Sequence, residues 1–227
     1  MPSLIPRLIC PRRGDASHRL RAGALVVAAT IALNACATTH PENPDLDKFP
    51  PGVGGSTDIT YYDVHGRTAR ELVTQLRALG PKTSSGAFWA ETRSPMRWTW
   101  RTRSEGGGRC SLTSVQVYVH SEMTMPRWVP PADTEPGLYA AWQNSMAALQ
   151  THEIGHKDIS ARAARDILQR LNAVESFCSG LNDEAKRVTD GIIARERTEQ
   201  EAYDAQTRHG LTQGTAFPPR PRLPPPP

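Results

Sequence analysis

Outside its first 35 residues the chain has no net charge. The 227-residue sequence holds 27 Lys and Arg against 23 Asp and Glu, but five of the Arg (Arg7, Arg12, Arg13, Arg19, Arg21) and one Asp (Asp15) fall in residues 1–35, leaving 22 of each sign in the body. A neutral body gives no electrostatic reason to bind nucleic acid or an anionic membrane surface. A long apolar run is also missing, because the stretch over residues 22–35 is too short to span a bilayer permanently. No internal repeat is present. Cysteine is scarce, with four residues in all.

What is present begins with an export leader. An Arg-rich start precedes Leu25, Val26, Val27, Ile31 and Leu33, and the exit is made of small residues. That exit, Leu33-Asn34-Ala35-Cys36, resembles the lipobox of bacterial lipoproteins, in which the Cys is lipidated and becomes the new N-terminus, although Asn34 is uncommon there. The expectation is a protein of the cell envelope, periplasmic or extracellular, anchored to the outer membrane by lipid at Cys36 and touching membrane nowhere else. Simple secretion is the alternative. Cys10 then leaves with the leader, and Cys110 and Cys178 remain in the body. Two thiols in an oxidising compartment suggest one disulfide, Cys110 to Cys178, against the alternative of two buried free thiols.

The composition divides the chain into a leader (1–35), a Pro- and Gly-rich flexible tether (36–57), one folded domain (58–212) and a disordered Pro-rich tail (213–227). Within the domain, residues 58–66 read as a strand and residues 67–79 as a helix ended by Gly80-Pro81. Residues 96–102 and 111–120 alternate large and polar side chains around Gly106-Gly107-Gly108, which is a β-hairpin pattern. Pro126, Pro130, Pro131 and Pro136 then suggest a loop. From residue 137 to about 174 the apolar spacing becomes helical, through Trp142, Met146, Leu149, Ile159, Ala163, Ile167 and Leu171. After a break at 176–182, with Asn182 as the expected cap, a last charged helix runs to about 205. The fold class is α+β: a small antiparallel sheet built as β-α-β-β, packed against the long helix and an antiparallel C-terminal helix.

The long helix carries His152, Glu153 and His156 in an HExxH pattern. Side chains four apart on a helix share one face, so both imidazoles can ligate one metal ion, while Glu153 is placed to take a proton from a water and pass it on. Buried imidazoles also need polar partners, and a metal supplies them. Three protein ligands with an open fourth position are usual for catalytic zinc. If the two helices pack antiparallel about a turn near Cys178, the facing region lies near residue 202. There the expected third ligand is His209, with Asp204 as the alternative or as an orienting partner. Tyr203 is placed as an oxyanion donor, or else as plain packing. Zn2+ suits neutral imidazoles best, though other divalent ions fit the same donors. His65 and His120 are weaker candidates, and Trp98, Trp100 and Trp128 are a wall or simply core.

The HExxH helix, the segment Tyr203-Asp204-Ala205-Gln206-Thr207-Arg208-His209-Gly210 some fifty residues later, and the strand Tyr61-Tyr62-Asp63-Val64-His65-Gly66 together resemble the DUF922 family. The likeness covers residues 57–210. It implies a secreted zinc-dependent protease related to the zincins, with His152, Glu153 and His156 in the zincin roles. The expected function is peptide-bond hydrolysis by metal-activated water, with Glu153 as general base and a peptide or protein as substrate. The alternative is a non-catalytic metal-binding envelope lipoprotein that acts as an interaction or structural module.

Overall fold

The computed structural model describes residues 45–83 and 86–218. The leader, Cys36 and residues 219–227 lie outside them. Among the described residues no helix is long and apolar enough to cross a membrane.

One strand, β6 (Arg109–Trp128), is the spine of a five-stranded sheet. Along one of its sides β1 (Val53–Val64) runs parallel, from Val53 opposite Val117 to Val64 opposite Trp128. Along the other side β5 (Met96–Gly106) and β4 (Glu91–Arg93) run antiparallel. A short β7 (Glu175–Phe177) pairs with the first residues of β6. The sheet is therefore mixed, where an antiparallel one was expected. Alternating side chains identify a strand but not its direction. Here the excursion between Val64 and Arg109, through α1 (Ala69–Leu79) and a small ribbon of β2 (Lys82–Thr83) and β3 (Gly86–Ala87), is long enough for a parallel crossover.

The hairpin between β5 and β6 turns at Gly106, Gly107 and Gly108, all with positive φ, as their sequence requires. β6 then continues through Pro126, which faces Tyr62 of β1. The expected loop starts later, because β4 reaches only to Thr124 and leaves β6 paired on a single side at the proline, where a missing N–H costs little.

Two long helices cover one face of the sheet. α2 (Pro136–Leu171) begins with proline in its first turn, and α3 (Leu181–Thr207) follows a 3₁₀ turn at Cys178–Gly180. Gly180, not Asn182, occupies the cap position of α3. Leu112, Val117 and Val119 of the sheet meet Ala164, Ile167 and Leu171 of α2 and Leu181, Ala185 and Ile192 of α3. Leu171 is fully buried, so Leu171→Ala would cost about 2–5 kcal/mol. The Cys110–Cys178 disulfide forms and ties the start of β6 to the turn between α2 and α3. Closing that loop stabilises the fold by roughly 4 kcal/mol on the chain-entropy account.

Both ends of the domain extend beyond the boundaries the composition suggested. The tether stops short of residue 45, because Leu46, Phe49 and Val53 are apolar anchors within a Pro/Gly-rich stretch and pack on the domain. Lys157 of α2, fully buried, donates to the carbonyls of Asp45 (2.6 Å) and Lys48 (3.0 Å) and lies 5.1 Å from the Phe49 ring. At the other end residues 213–217 are folded: Thr215 and Phe217 are buried, and Phe217 meets Trp142 edge-on at 5.4 Å.

Candidate metal centre

α2 and α3 pair about Cys178 like the arms of a hairpin. Ser160 hydrogen-bonds Glu196 (2.8 Å), each 18 residues from Cys178; His156 bonds Gln200 (2.6 Å), each 22 away; His152 meets Asp204 (3.2 Å), each 26 away. The four-residue steps on both helices keep these pairs on facing stripes.

At the head of the ladder three ligand atoms converge. His152 Nε2 and His156 Nε2 are 3.2 Å apart, and Asp204 Oδ1 lies 3.2 Å from the first and 3.1 Å from the second. His152, His156 and Asp204 are the only such His/Cys/Asp/Glu cluster among the described residues. Each histidine uses its other nitrogen on an amide oxygen: His152 Nδ1 donates to Gln213 Oε1 at 2.9 Å and His156 Nδ1 to Gln200 Oε1 at 2.6 Å. An amide oxygen only accepts, so both Nδ1 atoms carry hydrogen, and in the neutral rings both Nε2 atoms present lone pairs. With both rings neutral, three acceptors lie within hydrogen-bond distance, an arrangement that a proton on one Nε2 or a metal ion between them relieves. Tetrahedral bonds of about 2.0 Å place ligand atoms about 3.3 Å apart, close to the spacing found. The donor set therefore fits a divalent ion.

Protons respond to the same geometry. Burial works against the charge of Asp204, but hydrogen bonds from His152 and His156 prevail and hold its carboxyl well below the usual carboxylate range. Burial likewise opposes a charged His156, yet the hydrogen bonds to Asp204 and Gln200 raise its pKa.

Glu153 lies one step round the helix, 4% exposed, with Oε2 accepting from Thr92 Oγ1 of β4 at 2.8 Å. Burial raises its pKa; the Thr92 bond and the histidines pull the other way without cancelling the effect. Glu153, the two histidines and Asp204 open on a cleft of about 1010 Å³. Phe88, Trp89, Glu91 and Thr92 form one wall and Gln200, Asp204 and His209 another.

His209, the expected third ligand, is outside the cluster. α3 ends at Thr207, and Arg208, His209 and Gly210 all take left-handed φ, which swings the imidazole away from the helix face. Its side chain is 57% exposed, with Nδ1 3.4 Å from Asp204 Oδ1 and its ring 5.4 Å from that of Phe88. Asp204 takes the ligand position instead. Tyr203 packs beside the cluster: its ring stacks on His152 at 5.0 Å, and its hydroxyl donates to the His152 carbonyl and receives from Gln213. A Cβ on Gly155 would sit 2.1 Å from that hydroxyl, so the glycine within HExxH makes room for Tyr203. His120 lies away from the cleft, bonded to Ser56, and Trp98 and Trp100 pack on the core.

A family model described as "Bacterial protein of unknown function (DUF922)" matches residues 59–210, well over half of the chain. The chain belongs to the DUF922 family. No curated protein and no solved structure matches it. The matched DUF922 segment contains both histidines, Glu153 and Asp204, and ends at Gly210, where a Cβ would meet His152 Cγ at 3.1 Å and Thr215 Cγ2 at 2.6 Å.

Proposed function

We propose that this DUF922 chain is a zinc-dependent peptidase of the zincin type, exported to the cell envelope and held there by lipid at Cys36. The observation that carries it is the trio His152 Nε2, His156 Nε2 and Asp204 Oδ1, 3.1–3.2 Å apart on the floor of a cleft, with the Glu153 carboxylate beside it. Zinc, when bound, would act as a Lewis acid and make a water acidic near neutral pH. Glu153 Oε2 is fixed by Thr92, which leaves the other carboxylate oxygen to take the proton of the attacking water and deliver it to the leaving amine. The raised proton affinity that burial gives Glu153 suits both halves of that transfer. β4 runs along the cleft wall, and an extended peptide can pair with it as an added strand, which presents the scissile carbonyl to the floor. His209, exposed at the rim, remains to donate to the substrate.

Glu153→Gln should keep stoichiometric zinc and lose turnover of a broad peptide library by at least a hundredfold. A variant that cleaves as fast as the parent would remove Glu153 from the mechanism. Zinc uptake without cleavage by the parent would favour the non-catalytic metal-binding module.

A further inference from the structure

We propose that Gln200 and Gln213 are the positioning residues that aim both histidines at the cation, and that through Gln213 the metal centre depends on the C-terminal strap beyond the segment the family shares. This rests on metal binding, not on hydrolysis. The amide of Gln200 is oriented by its surroundings: Nε2 donates to Glu196 Oε1 (2.8 Å) and to the His156 carbonyl (3.1 Å), so only its oxygen can face His156 Nδ1. A flipped amide would set oxygen against two acceptors. The orientation of Gln213 follows from Tyr203, whose proton goes to the His152 carbonyl, so the hydroxyl oxygen receives from Gln213 Nε2 at 3.0 Å. Each glutamine therefore demands hydrogen on Nδ1 and bares Nε2 toward Asp204. Without it a ring is free to turn, or to carry its hydrogen on the nitrogen that must bind the ion.

Both partners are neutral, where a carboxylate would make the ring more basic and add a negative charge. With a divalent ion, Asp204 and Glu153 already balance the charge, and amides leave that balance intact.

Gln213 closes a 3₁₀ turn, Leu211–Gln213, three residues past the end of the family match at Gly210. The strap around it is anchored twice. Buried Ser145 of α2 donates to the Thr215 carbonyl at 2.8 Å, and Phe217 packs on Trp142. A stretch that looks in sequence like the start of a tail thus supplies half of the histidine alignment.

The test uses the full mature chain, with zinc affinity measured by competition against a chromophoric chelator and ring tautomers read by long-range proton–nitrogen correlation in the metal-free protein. Gln213→Ala should weaken zinc about 10–100-fold, and Gln213→Glu, which restores an acceptor and adds charge, should bind at least as tightly as the parent. Phe217→Ala, which leaves every side chain around the ion in place, should weaken zinc by loosening the strap. Metal-free parent should show hydrogen on Nδ1 of both His152 and His156, and Gln213→Ala should lose that signature at His152 alone. Affinity of Gln213→Ala within twofold of the parent, or a neutral His152 in the parent with its hydrogen on Nε2, would overturn the proposal. A parent that takes up no zinc would sink the metal-centred function, while the tautomer signature would still decide whether the glutamines orient the rings.

Discussion

Asp204 and His209 stand five residues apart and make opposite predictions for metal binding. Asp204 Oδ1 is one of three atoms spaced 3.1–3.2 Å apart, whereas His209 reaches only Asp204 itself, at 3.4 Å. Zinc sites with four protein ligands gain about 10–16 kcal/mol, or roughly 2.5–4 kcal/mol per ligand. Removing the aspartate oxygen should therefore raise the zinc Kd by about 60–800-fold. His209→Ala should change Kd by no more than about threefold, since it removes an exposed neighbour of a ligand. The assay is chelator competition at fixed pH and ionic strength, with metal content by elemental analysis and folding checked by circular dichroism. If His209→Ala emptied the site while Asp204→Ala kept stoichiometric zinc, Asp204 would not be the third ligand.

Lys157→Met keeps the volume but strips the donor from the carbonyls of Asp45 and Lys48; it should cost about 2 kcal/mol and lower Tm by about 4–8 °C, and an unchanged melting curve would show that the N-terminal segment is not held there. Gly155→Ala forces a methyl into Tyr203 and should destabilise the parent by about 2 kcal/mol. In a Tyr203→Ala background the same change should be neutral or gain up to about 1 kcal/mol from helix propensity. Denaturant titration of all four proteins gives the coupling, and equal effects in both backgrounds would dismiss the contact.

Much of this was legible in the residues themselves. Helix period placed α2 within a few residues of its bounds, the triglycine placed the hairpin turn, and the HExxH spacing set two of the three ligand atoms. The antiparallel count about Cys178 also pointed at Asp204: Glu196, Gln200 and Asp204 step by four along α3 just as His152, His156 and Ser160 do along α2. The sequence reading nonetheless set His209 ahead of Asp204. What undid it was three consecutive left-handed residues, Arg208 to Gly210, which no periodicity announces. Parallel pairing of β1 with β6 was hidden because side-chain alternation is the same in either direction. The folded ends were hidden because a few anchors (Leu46 and Phe49 at one end, Phe217 at the other) sit in composition that otherwise belongs to linkers.

The mirror relation about Cys178 has a consequence for how this scaffold tolerates change. Because each ligand is addressed by its count along its helix, a single residue gained or lost within α2 between His156 and Leu171, or within α3 between Leu181 and Asp204, would rotate the donor beyond it by about 100° and slide it by about 1.5 Å, scattering the donors although none had been altered. Length variation within these two helices should therefore be scarce among working relatives or come in compensating pairs, whereas the β5–β6 hairpin tip, which no donor is counted from, is free to lengthen.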